Sequence, residues 1–179
     1  VTANTPTNTG TTLNMAWSAA SGSVTAYTVY VLAAGSLAPS GTLSLGNVTS
    51  TTFTPMVSGT AYSFYVVATG PGGSGTQSTT TATVTYTAPP GQASVNTPTN
   101  TGTTLNMTWS APGSGEAVTG YTVYVLAAGS LAPSGTLSLG NVTSATFSPM
   151  VSGTAYSFYV VATGSGGSGT QSTTSSTVT

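Results

Sequence analysis

The sequence lacks lysine, arginine, histidine, aspartate and cysteine, and its 179 residues carry a single acidic side chain, Glu116. Charged residues make up 1% of the chain, whereas an ordinary soluble domain has about 25%. Acyl or glycosyl transfer needs an activated nucleophile or a pair of carboxylates. We therefore expect no catalytic residues and no enzymatic activity.

The same absences exclude several kinds of ligand. A metal site needs His, Cys or clustered carboxylates, so no metal and no cofactor is expected. The glycine-rich segments 70–75 and 164–169 lack the lysine and the following helix of a phosphate loop, and we interpret them as hairpin loops. Without basic residues the chain should not bind nucleic acid, and without a run of about 18 apolar residues it should not insert into a membrane.

The sequence contains a duplication. Residues 4–18 match residues 96–110 with one difference, and residues 27–85 match residues 121–179 with five differences. The copies predict two domains, residues 1–88 and 92–179, joined by a Pro-Pro-Gly linker at residues 89–91 that favours an extended connection. The chain does not begin with Met, so we expect Val1 to be a processed N-terminus or the start of a fragment. The second copy stops where the first continues into its linker, which indicates a longer parent array.

Apolar residues within each copy recur at every second position, which is typical of strands with one buried face. Leu13, Met15 and Trp17 alternate with polar or small residues, and a Thr-rich strand is predicted at residues 79–87. Several short strands separated by turn residues indicate an all-β fold of the β-sandwich type.

Two segments of each copy resemble the fibronectin type III family. Leu13–Trp17 and Leu105–Trp109 are similar to its second strand, and residues 56–68 and 150–162 are similar to its tyrosine corner and sixth strand. The resemblance covers almost the whole chain and implies two tandem, immunoglobulin-like, seven-stranded β-sandwiches.

The resemblance also assigns structural roles to four aromatic residues. Trp17 and Trp109 would lie in the two cores. Tyr62 and Tyr156 would be the corner tyrosines, with a buried ring and a hydroxyl bonded to nearby backbone. The Arg-Gly-Asp tripeptide of some family members is absent, so an integrin-binding role does not carry over.

Alternation directs a second set of apolar side chains outward, on strands that are neighbours in this family. We interpret this set either as cross-strand pairs that stabilise the sheet or as a contact face for another copy of the chain or for a glycan. The apolar loop at residues 32–39 adjoins this face. The set comprises Tyr30, Leu32, Tyr65 and Val67, repeated as Tyr124, Leu126, Tyr159 and Val161.

Three Asn-x-Thr motifs are candidate N-glycosylation sites: Asn47, Asn106 and Asn141. Alternation directs Asn106 outward from a strand, and the other two follow a glycine near a turn. Glu116 lies in a loop that is two residues longer in the second copy, and we interpret it as a solvated surface charge.

Near-zero net charge removes the repulsion that keeps protein molecules apart. We therefore predict an extracellular or cell-surface structural protein that associates with itself, as a homo-oligomer or as the subunit of a filament or array. The absence of Lys and Arg, and so of trypsin-like cleavage sites, fits that location. The alternatives are a spacer or polysaccharide-binding accessory pair of a large secreted glycan-active enzyme, and an adhesin stalk.

Overall fold

A computed structural model describes residues 1–9, 11–130 and 132–179. The chain divides into two compact units, Val1–Ala88 and Pro89–Thr179. All sheets are antiparallel, and the described residues form no helix. The predicted all-β class is confirmed.

The first unit has two sheets, with strand orders β1-β2-β5 and β4-β3-β6-β7. Strand β8 also pairs with β6, so β7 and β8 are two parts of one edge strand, and the described residues of this unit form seven strands. The strands are β1 (Thr7–Thr9), β2 (Thr12–Ala16), β3 (Ala26–Ala33), β4 (Gly41–Leu45), β5 (Ser50–Phe53), β6 (Ala61–Gly70), β7 (Gly73–Ser74) and β8 (Val84–Thr85).

The second unit repeats this arrangement. Its sheets have the orders β10-β11-β14, with β9 also paired to β11, and β13-β12-β15-β16. The strands are β9 (Ser94–Val95), β10 (Thr99–Asn100), β11 (Leu105–Ser110), β12 (Val118–Ala127), β13 (Gly135–Gly140), β14 (Ser144–Phe147), β15 (Tyr156–Gly164) and β16 (Gly167–Ser168).

Each core lies between the two sheets of its unit. In the first unit Leu13 and Val29, from opposite sheets, are completely buried, and Trp17 packs edge-on against Tyr27 with ring centroids 5.6 Å apart. Burying one such side chain stabilises the fold by about 1.5–3 kcal/mol. The two-residue period of the strands thus places one face of each strand in a continuous apolar core.

The expected Thr-rich strand at residues 79–87 is wrong in its extent, because only Val84–Thr85 forms a regular strand there. Between residues 75 and 81, every third residue forms a backbone hydrogen bond with every second residue of β6. The backbone N–H groups of Gly75, Ser78 and Thr81 donate to the carbonyls of Ala68, Val66 and Phe64.

Hydroxyl groups complete this irregular pairing. The N–H of Val66 donates to Ser78 Oγ at 3.0 Å, and the N–H of Phe64 donates to Thr81 Oγ1 at 3.1 Å. Each hydroxyl takes the place of a backbone carbonyl in a regular ladder. Ser172 and Ser175 make the same bonds in the second unit. The side chains between these positions are exposed, so this edge presents a row of Thr and Gln.

The segment expected to be a linker, residues 89–91, lies in the second unit. The N–H of Gly91 donates to the carbonyl of Ser114 at 2.8 Å. Pro90 is buried and bridges to Gly115, which has a positive φ of 83° and no room for a Cβ.

Candidate functional site

The outward side chains of β3 and β6 form a paired tyrosine face. Tyr30 lies directly opposite Tyr65 in the register of the two strands. Their rings stack with centroids 4.8 Å apart and an interplanar angle of 13°. Tyr30, Leu32, Tyr65 and Val67 are all half-buried, so the expected outward face is partly covered by its own neighbours.

The second unit carries the same face with the same geometry. Tyr124 lies opposite Tyr159, with centroids 4.7 Å apart and an interplanar angle of 15°. Leu126 and Val161 are also half-buried. A cross-strand aromatic pair contributes about 0.2–1 kcal/mol to a sheet, so the stack stabilises its unit whatever else it contacts.

The stacking limits what these faces can bind. Each ring covers one side of the other, so a ligand could stack only on the outer side of either ring. Tyrosine also supplies a hydroxyl that donates and accepts hydrogen bonds. The faces carry no charged side chain, because Glu116 is the only acidic residue and basic residues are absent. They are suited to contact with another neutral surface.

The loop next to the first face holds the most exposed apolar side chain of the described residues. Leu37, at the tip between β3 and β4, has a relative exposure of 107%. Ser36 Oγ donates to the carbonyl of Ala38 at 2.7 Å, which fixes the backbone around the tip. The ordered loop therefore holds an apolar group in solvent.

The two corner tyrosines are structural. The backbone N–H of Val57 donates to the hydroxyl of Tyr62 at 3.0 Å, and that of Val151 donates to Tyr156 at 3.1 Å. Both rings are buried, as are Trp17 and Trp109 in the cores. None of these four side chains is available to a ligand.

One buried hydroxyl differs between the units. The N–H of Ala20 donates to the hydroxyl of Tyr27 at 3.0 Å. The equivalent of Ala20 is Pro112, which has no N–H to donate. The hydroxyl of Tyr121 is accordingly buried without a hydrogen-bond partner among the described residues, and its burial raises the pKa of Tyr121.

The three Asn-x-Thr motifs lie in two different environments. Asn47 and Asn141 are exposed in equivalent loops, between β4 and β5 and between β13 and β14. Asn106 is half-buried in β11, which has paired strands on both sides, and its amide donates to Thr101 Oγ1 at 3.5 Å. Only Asn47 and Asn141 are exposed and lie in short loops outside regular strands.

Glu116, which we interpreted as a solvated surface charge, is half-buried. It lines an open depression of about 310 Å³ formed by residues 111–118 and Asn141. Across the described ranges no three His, Cys, Asp or Glu side chains group together. The described part of the chain also has no helix long and apolar enough to cross a membrane.

Sequence reasoning missed one surface, the open edges of β4 and β13. Both strands lie at the outside of their sheets. The available signal was the hexapeptide Gly-Thr-Leu-Ser-Leu-Gly, which occurs unchanged at residues 41–46 and 135–140 and contains neither Lys nor Pro. Natural edge strands commonly carry Lys or Pro, which prevent pairing with another chain.

Comparison with known proteins agrees with this architecture. The family model for the fibronectin type III domain matches residues 1–85 and again residues 88–178. No curated protein sequence matches the chain significantly.

Among solved structures, the FN1–FN3 domains of chicken CNTN1 superpose with a TM-score of 0.65 at 20% identity, covering 99% of this chain and 66% of that one. This chain therefore spans about two thirds of that fragment. A two-domain fibronectin type III segment of chicken tenascin has a TM-score of 0.45 and 16% identity, with 98% of each chain covered. From the two family matches and the two sandwiches, the chain belongs to the fibronectin type III family and holds two tandem domains of it.

Proposed function

We propose that this chain is an extracellular structural protein whose two domains associate with other copies of the same chain, as the subunit of a filament or surface array. The observation that carries the proposal is the neutrality of its surface. Burying an unpaired charge is costly, and this chain has one acidic side chain and no basic one to desolvate on contact.

The paired tyrosine faces support association. Tyr30–Tyr65 and Tyr124–Tyr159 place two stacked aromatic rings at the same position of each domain, so every chain carries two equivalent half-buried apolar faces. Aromatic side chains are enriched at the buried centres of protein interfaces, where charged residues are depleted. Extracellular placement is supported by the absence of Lys and Arg, because trypsin-like proteases then have no cleavage site.

The polysaccharide alternative has weaker support. A sugar stacks on the open face of an aromatic ring, and the Tyr30 and Tyr65 rings each have one face against the other. Retention of the chain on insoluble polysaccharide, lost when both tyrosines become Ser, would favour that alternative over self-association.

The test is sedimentation velocity of the full chain over a wide concentration range, at low and high salt. We expect the average mass to rise with concentration and to change little with salt, because the association uses no ion pairs. The variant Tyr65→Ser/Tyr159→Ser should associate more weakly, whereas the matched Tyr65→Phe/Tyr159→Phe variant, which keeps the rings, should retain most of the association. A chain that stays monomeric at every concentration contradicts the proposal.

A further inference from the structure

Strands β4 and β13 each have one side without a partner. β4 pairs with β3 over residues 41–45, and β13 pairs with β12 over residues 135–140. Both strands end the strand order of their sheets, and no described strand pairs with their other side. Their backbone groups on that side are open to another chain.

The hydrogen-bonding pattern fixes which residues face the open side of β4. Just beyond β3, the N–H of Ala34 donates to the carbonyl of Ala61 at 2.8 Å, toward β6. Backbone groups of an antiparallel strand alternate in direction. On β3, the backbone groups of Tyr30 and of every second residue from it therefore hydrogen-bond to β6. The backbone groups of the residues between them hydrogen-bond to β4. Their partners on β4 are Gly41, Leu43 and Leu45.

Thr42 and Ser44 consequently direct their backbone N–H and C=O groups away from β3, into the open edge. The second domain gives the same result, because the N–H of Ala128 donates to the carbonyl of Ala155 at 2.8 Å. Thr136 and Ser138 are the outward residues of β13. The side chains of all four residues are exposed.

The other edges of each domain are less suited to pairing. Residues 75–81 bond to β6 only at every third position, so they present no regular ladder on their outer side. β1 has three residues and follows Pro6, and β5 is followed by Thr54 and Pro55. Irregular, short or proline-flanked edges resist strand addition. Among the edges described, β4 and β13 are the longest regular ones.

We propose that β4 and β13 bind second copies of this chain by antiparallel strand addition, which extends one sheet from molecule to molecule. The proposal rests on the proposed self-association and adds the strand edges to the tyrosine faces as a contact surface. With a two-fold axis at Leu43, Thr42 lies opposite Ser44 of the second copy, and each pair exchanges two backbone hydrogen bonds. Because the two edge sequences are identical, β4 of one chain also fits β13 of another.

A second copy is the occupant that the edge chemistry favours. In the two-fold pairing, Thr and Ser side chains stand opposite each other and can exchange hydrogen bonds, whereas lysine at these positions would face lysine. Leu37, fully exposed at the tip between β3 and β4, lies next to the edge and adds apolar area. A chain with two such edges has two places to pair, so strand addition can continue from one chain to the next.

The test compares two variants with the same added charge. The edge variant carries Thr42→Lys and Ser44→Lys with the equivalent Thr136→Lys and Ser138→Lys. The control carries Lys at Thr79, Thr80, Thr173 and Thr174, which are exposed on the irregular edge. Sedimentation velocity at high salt, where general repulsion is screened, should show that the edge variant associates much more weakly than the control, and that the control associates like the original chain.

Each outcome decides between the two proposals. An edge variant that associates like the control overturns strand addition and leaves self-association standing. An original chain that never associates overturns both. If both variants lose association equally, the cause is net charge, and strand addition at the edges is overturned.

A readout on the unsubstituted chain covers the case in which the edge variant does not fold. Amide hydrogen exchange at Thr42 and Ser44 should slow on association, while exchange at Thr79 stays unchanged. Unchanged exchange at the two edge residues in the associated state overturns the proposal.

Discussion

Removal of one buried tyrosine hydroxyl should destabilise the first domain but not the second. Tyr27→Phe deletes the acceptor of the partly buried Ala20 N–H. An unsatisfied buried donor costs about 1–3 kcal/mol, so the first domain should lose about that much unfolding free energy. Tyr121→Phe removes a buried hydroxyl that has no partner among the described residues. The second domain should be unchanged or should gain up to about 1 kcal/mol.

The assay is urea unfolding of the full chain followed by hydrogen exchange and mass spectrometry. Most strand peptides are identical in the two domains, but the segments 18–24 and 110–118 differ in sequence and report on each domain separately. We expect Tyr27→Phe to lower the urea midpoint of peptides from residues 18–24 and to leave that of peptides from residues 110–118 unchanged. Tyr121→Phe should leave the midpoint of the second segment equal or higher.

An equal loss of stability from both substitutions would contradict the difference between the two hydroxyls. That result would mean that Tyr121 has a hydrogen-bond partner or that the Ala20 bond contributes nothing. The direct control is Tyr62→Phe, which breaks the corner bond to Val57. It should destabilise the first domain by an amount comparable with Tyr27→Phe.

Three further outcomes follow from the structure. Burial raises the pKa of Tyr121 above its ordinary 10.0, so the folded second domain holds this proton more tightly than the unfolded chain does. The stability of this domain, measured by thermal unfolding, should be intact below pH 10 and should fall as the pH rises beyond that value. The fall should be smaller in Tyr121→Phe. Ser78→Ala leaves a buried N–H without its acceptor and should lower the unfolding free energy by about 1–3 kcal/mol in a denaturant titration, whereas Thr79→Ala should change it by less than about 0.5 kcal/mol. In an N-glycosylating secretory host, intact-mass measurement should show a glycan on the loop residue Asn47 and none on the strand residue Asn106; the reverse occupancy would contradict the structural distinction.

The core and the tyrosine pairs could be predicted because they follow from local alternation. Leu13, Met15 and Trp17 are two residues apart on a strand that buries one face, and side chains alternate across a strand. The pairing of Tyr30 with Tyr65 follows from the family's order of strands. Their half-burial could not be predicted in the same way, because it comes from the contact of the two rings with each other.

The edge segment at residues 75–85 escaped prediction for a different reason. Thr-rich composition favours a regular strand, but Ser78 and Thr81 accept backbone bonds through their side chains. Hydroxyl groups that compete with backbone acceptors break the two-residue period. The spacing Gly75, Ser78, Thr81 was visible in the sequence, yet it matches neither the helical nor the strand period.

Contacts between distant segments account for the remaining differences. The buried position of Pro90 depends on glycines 115, 164 and 169, which approach it from other parts of the second domain. The unpaired Tyr121 hydroxyl depends on Pro112, nine residues earlier in the chain. The open edges of β4 and β13 depend on the order of strands in the sheet, which local patterns do not specify.

Electron microscopy of the concentrated full chain at neutral pH shows directly whether the chain assembles. We expect regular filaments or a lattice, present at both low and high salt because the contacts involve no charge. Only separate particles, with a solution mass of 17.4 kDa at every concentration, would contradict the claim that this neutral surface is an assembly interface.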